Sequence, residues 1–96
     1  MANEELDLDS ICSSLLHEGF IPTPWEADPG EVHPNNTHSR DEIVYLLKGQ
    51  MELTLNGKSH LLRAGDRTLI PAGTCHDLRV IGNEGVEFVS AIRSNE

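Results

Sequence analysis

The ten residues "HPNNTHSRDE", numbers 33 to 42, contain two imidazoles, a carboxylate pair and two asparagines. In an extended segment, side chains two apart share a face, so Asn36 and His38 belong together and His33, with the opposite parity, points away. Glu42 opens the next apolar run on the face it shares with Val44 and Leu46. Downstream, "PAGTCHDLRV" places His76 in phase with Leu78 and Val80, and an imidazole in line with two core aliphatics faces inward. If the two strands are neighbours, Asn36, His38, Glu42 and His76 converge on one point. Two imidazoles and a carboxylate in an otherwise apolar cavity are costly to bury unless a cation compensates. The chemistry expected from these residues is therefore divalent-metal binding, with Asn36, His38, Glu42 and His76 as candidate ligands.

Asn36 is the odd member. Its amide oxygen can coordinate a hard cation but is a poorer donor than imidazole toward Zn²⁺, Ni²⁺ or Fe²⁺. Its other reading is a loop residue that hydrogen-bonds its own backbone, and a bulge in the loop would let His33 take its place. Without Asn36, the set His38, Glu42 and His76 has the composition of a 2-His-1-carboxylate triad with open positions. Cys75 has the opposite parity to His76 and reads as outward or interfacial packing. His17 and His60 read as surface histidines, and Tyr45 and Trp25 as subunit or core packing.

The elements that must position these residues follow from the punctuation. From Gly19 onward, Pro22, Pro24, "DPG", "KG", "NG", "AGD", "PAG" and "GNEG" separate short runs rich in Val, Ile, Leu and Thr. Such spacing indicates an all-β sandwich or barrel. Met51, Leu53 and Leu55 alternate with polar residues up to Asn56-Gly57, a type I′ hairpin signal. The run from Glu42 to Leu47 is apolar on both faces beyond Glu42, as expected of a strand covered inside by the barrel and outside by a helix or a second subunit. Residues 6 to 18 place Leu8, Ile11, Leu15 and Leu16 on one helical face, with Asp7 or Asp9 as N-cap and Gly19 past the end.

The spacings also resemble those of the cupins, whose first motif is G-x5-H-x-H-x3,4-E-x6-G and whose second is G-x5-P-x-G-x2-H-x3-N. "GEVHPNNTHSRDEIVYLLKG" supplies Gly30, Asn36, His38, Glu42 and Gly49, and "GDRTLIPAGTCHDLRV" supplies Gly65, Pro71, Gly73 and His76. Asn36 stands where the family has its first ligand histidine, and Val80 where it has the closing asparagine, which is not a ligand. The flanks are similar to those of small single-domain bacterial cupins. The resemblance implies a double-stranded β-helix (jelly-roll) barrel, often dimeric. Residues 1–18 would form an N-terminal helical segment and residues 19–96 the barrel.

Composition narrows the partners. A chain of 96 residues is one domain with a modest core, which favours a homodimer. With 16 acidic against 7 basic residues it repels phosphate backbones, so nucleic acid is not expected. Two cysteines without CxxC spacing, an acidic N-terminus and the lack of a long apolar run point to a cytoplasmic protein with no membrane association. Two functions fit. The first is a barrel that binds a divalent ion, Fe, Mn, Ni or Zn, with a small organic ligand or substrate at the open positions. The second is a metal-free small-molecule binding or sensing module built on a degenerate site. Catalysis stays open: the triad suits Fe(II) dioxygenase-type, isomerase or lyase chemistry, yet no inward residue beyond the ligands is assigned as a proton shuttle.

Overall fold

The computed structural model describes residues 7–94. Asp7 caps the helix α1 (Leu8–His17), its carboxylate accepting from the Asp9 N–H at 3.2 Å and from the Ser10 hydroxyl at 2.9 Å. Asp7 is thus the cap of the two candidates, and the chain leaves the helix through Gly19 in the left-handed region, φ 92°. Leu6, where the sequence-based helix began, lies outside the described residues.

Eight strands follow: β1 (Phe20–Ala27), β2 (Val32–Asn36), β3 (Glu42–Lys48), β4 (Gln50–Leu55), β5 (Lys58–Arg63), β6 (Arg67–Ile70), β7 (His76–Ile81) and β8 (Val86–Arg93). They form two antiparallel four-stranded sheets, in the orders β1-β8-β3-β6 and β2-β7-β4-β5. This is the all-β jelly-roll arrangement anticipated from the sequence. Strand alternation makes the interior: Val44 and Leu46 from one sheet and Met51, Leu53, Leu78 and Val80 from the other meet in one buried cluster. The opposite face of β3 is buried as well. Ile43 joins Leu15, Phe20, Val89 and Ala91 in a second cluster, with Tyr45 and Leu47 half-buried against it. The outer cover of β3 is therefore α1. Arg67 fastens the helix end to β6 through two bonds to Glu18, 2.7 and 2.9 Å, which hold that carboxyl below its usual range.

Two turns set the register. Asn56 and Gly57 take φ of 49° and 82°, the positive values a type I′ hairpin requires, and pair Leu55 with Lys58. Gly49, φ 85°, links β3 to β4, and a Cβ there would lie 2.6 Å from the Gly85 carbonyl oxygen. No side chain fits in that gap. No helix among the described residues is long and apolar enough to cross a membrane.

Candidate metal centre

Three elements deliver the candidate ligands. Glu42 is the first residue of β3, flanked in its sheet by Ile70 of β6 and Ile92 of β8. His76 is the first residue of β7 in the opposing sheet, with Leu55 on one side and Asn36 on the other. His38 comes from the loop between β2 and β3. That loop is tied to the turn before β7. The Gly73 N–H donates to the His38 carbonyl at 2.8 Å, and the Ala72 N–H donates to Asp41 Oδ1 at 2.8 Å. Asp41 is held in turn by Arg93, whose N–H donates to the Asp41 carbonyl at 2.9 Å. These ties bring the two motifs together across the barrel mouth.

The result is a compact group: one donor atom each from His38, Glu42 and His76, all within 4.8 Å of one another. Glu42 Oε1 lies 3.2 Å from His38 Nε2 and 3.4 Å from His76 Nε2. Two donors at about 2.1 Å from a shared ion and at right angles to each other would be roughly 3 Å apart, close to these separations. Glu42 and His76 are buried, and the two rings lie 5.5 Å apart between centroids.

The hydrogen bonds around the group are asymmetric. Ser90 Oγ donates to Glu42 Oε2 at 2.5 Å, whereas buried Oε1 has no hydrogen-bond partner among the described residues. His76 Nδ1 lies 3.3 Å from the Thr74 carbonyl oxygen, an atom that can only accept. That contact places the ring proton on Nδ1 and leaves a lone pair on Nε2, directed at the Glu42 carboxylate. Two acceptors facing each other in a buried site repel unless a cation or an added proton lies between them. The residues present therefore fit a metal ion.

Sequence alternation misjudged two details. The group is not wholly enclosed: His38 is 42% exposed at the rim, because β2 ends at Asn36 and His38 belongs to a loop. The strict parity that turned His33 away also fails. Pro34 breaks the ladder of edge strand β2, and a register shift between His33 and Asn36 sets His33 opposite inward-facing Leu78. His33 nevertheless stays outside the group. Its Nε2 is 2.9 Å from Glu31 Oε2, and with the Asp28 N–H this bond holds the Glu31 carboxyl below its usual range. Asn36 lies opposite His76 in register and donates from Nδ2 to the His33 carbonyl at 3.3 Å, the backbone contact named as its alternative role. Cys75, His17 and His60 are exposed, and Trp25 is 49% exposed rather than packed in the core.

Residue type and spacing assigned no role to Ser90, nor to Asp41 beyond its place in the carboxylate pair. A hydroxyl in inward phase with Val86 and Phe88 was a usable signal for Ser90. Nothing local marks Asp41, whose partners lie 31 and 52 residues away.

Comparison with known proteins accords with this geometry. A 55-residue stretch, 57% of this chain, is 46% identical to quercetin 2,3-dioxygenase of Bacillus subtilis (strain 168). A 62-residue stretch, 64% of the chain, is 34% identical to polyketide synthase CurC of Streptomyces cyaneus. These matches span only 15% and 40% of the two relatives. Among solved structures, a cupin 2 conserved barrel domain protein from Salinispora arenicola CNS-205 superposes with a TM-score of 0.72 over 80% of this chain and 65% of its own, at 22% identity, a likeness of fold alone. An oxalate oxidase in complex with the substrate analogue glycolate superposes with a TM-score of 0.71 over 82% of this chain and 44% of its own, at 25% identity. The family model described as "Cupin domain" matches residues 25–92. With both motifs and the converging His-Glu-His group inside that match, and the two facing sheets built around them, the chain belongs to the cupin family.

Proposed function

We propose that this protein binds one divalent metal ion through His38, Glu42 and His76 at the barrel mouth and presents it to a small organic ligand or substrate. The observation that carries the reading is Glu42 Oε1, a buried oxygen without a hydrogen bond that faces two imidazole Nε2 atoms. When bound, such an ion supplies Lewis acidity and, if it is iron or manganese, redox chemistry. The chain's own residues do the rest. Ser90 holds Oε2, so that Glu42 offers a single oxygen, and Thr74 fixes the His76 tautomer. Ile70 and Ile92 keep the Glu42 flanks apolar. His38, half exposed, leaves the outer side open to a ligand. The names of two similar proteins, quercetin 2,3-dioxygenase and oxalate oxidase, support oxidation of a small molecule as the first chemistry to screen.

Elemental analysis of untagged protein purified without chelator tests the reading, with Glu42→Ala beside it. The expected result is about one equivalent of Fe, Mn, Ni or Zn per chain in the wild type and none in the variant. A wild-type protein that arrives empty and refuses all four ions added back would overturn it. That outcome would favour the second reading, a metal-free binding module, for which the local hydrogen bond of Asn36 speaks.

A further inference from the structure

Next to the candidate metal centre the surface dips into a small cavity of about 170 Å³ lined by His38, Ser39, Arg40 and Ile92. Two of these residues connect it to the metal group. His38 belongs to the group, and Ile92 is the register partner of Glu42. The volume is below the roughly 300–1,000 Å³ of pockets for drug-sized ligands. It suits a molecule of a few heavy atoms.

Arg40 gives the cavity its charge. Three of the chain's other arginines are already paired, Arg67 with Glu18, Arg79 with Glu52 and Arg93 with Asp41. Among the described residues Arg40 makes no ion pair, and it is exposed. Nearby acids are already committed: Asp41 to Ala72 and Arg93, and Glu42 to Ser90 through Oε2 and to the proposed ion, shared with the two imidazoles, through Oε1. With a divalent ion on the one carboxylate of the group, the site would carry a net positive charge before Arg40 is counted, within a chain of formal net charge −9. A free guanidinium beside such a site favours an anion, and its planar fork matches a carboxylate.

We propose that Arg40 is a specificity-determining residue that selects a small carboxylate ligand, held between its guanidinium and the ion at His38, Glu42 and His76. This rests on the metal-binding reading above and adds the class of ligand. The acidic surface would otherwise repel such a molecule, so the local cation also decides where it enters.

The test uses the full chain, loaded with the ion that elemental analysis identifies, and isothermal titration with glycolate and with uncharged glycolamide. Wild-type protein is expected to bind glycolate more tightly than glycolamide. Arg40→Gln should weaken glycolate by about fivefold to tenfold, leave glycolamide unchanged and keep the metal content of the wild type, since Arg40 is not a donor. Arg40→Lys, which keeps the charge but loses the fork, should fall between the two. Equal glycolate affinity in wild type and Arg40→Gln, both carrying metal, overturns the role of Arg40 and leaves the metal reading standing. The role of Arg40 falls in the same way if metal-loaded wild type binds none of formate, glycolate, oxalate and malonate at millimolar concentration. A wild type that takes up no metal fails at the elemental analysis, before any titration, and takes this inference down with the reading beneath it.

Discussion

Glu42 has two oxygens in two different environments. Oε2 accepts from Ser90, and Oε1 is buried without a hydrogen bond. Ser90→Ala would free the carboxylate to rotate, and outer hydrogen bonds of this kind typically govern about 10- to 100-fold in metal affinity. Ser90→Ala is expected to weaken binding within that range while keeping about one equivalent at saturation; an unchanged dissociation constant would show that Ser90 does not orient Glu42. Asn36→His should move affinity the other way. Asn36 lies opposite His76 in register, and an imidazole there would replace a weak oxygen donor. The same competition titration reads both variants, and no tightening in Asn36→His would mean that this side chain turns away from the ion. Neither outcome follows from residue type alone, because both depend on which atoms are already engaged.

At the scale of elements, α1 covers the outer face of β3 while the candidate metal group occupies the inner face. Leu15 is fully buried against Phe20, Ile43, Val89 and Ala91. Leu15→Ala removes that contact and leaves a cavity, at a cost of about 2–5 kcal/mol. Chemical denaturation should report the loss as a lower midpoint, with metal content still near one equivalent because no ligand sits on the helix. Stability equal to the wild type would show that the helix docks too loosely to matter. Metal loss at full stability would instead tie the helix to the site. The helix itself was legible in the sequence from its apolar spacing and Asp7 cap. The bulge in β2 was not: period-two alternation presumes an unbroken ladder, and Pro34 interrupts it on an edge strand where the missing N–H is tolerated.

For the whole molecule, metal binding at the candidate group would be linked to folding, because the group draws on both sheets and the loop between β2 and β3. A ligand at 100 times its dissociation constant stabilises the folded state by about 2.7 kcal/mol. For a domain of this size each kcal/mol is worth roughly 4–8 °C. Saturating metal should therefore raise the melting temperature by roughly 11–22 °C in the wild type and leave Glu42→Ala unmoved. An equal rise in both proteins would place the ion elsewhere on this acidic surface.

What the sequence determined by itself was the fold class and the residue types of the candidate site. Strand periodicity, turn residues such as Asn56-Gly57, and the spacings of His38 to Glu42 and of Pro71 and Gly73 to His76 are properties of short segments, each written within a few residues. The tertiary structure decided what depends on distance between segments. It brought Ser90 to Glu42 across 48 residues and Asp41 to Ala72 across 31, left Arg40 without an ion pair among the described residues beside the cavity, and placed His38 at the rim while His76 is buried. Those assignments arise from how two sheets close over one another, and a one-dimensional pattern contains no term for which side chains that closure will bring into contact.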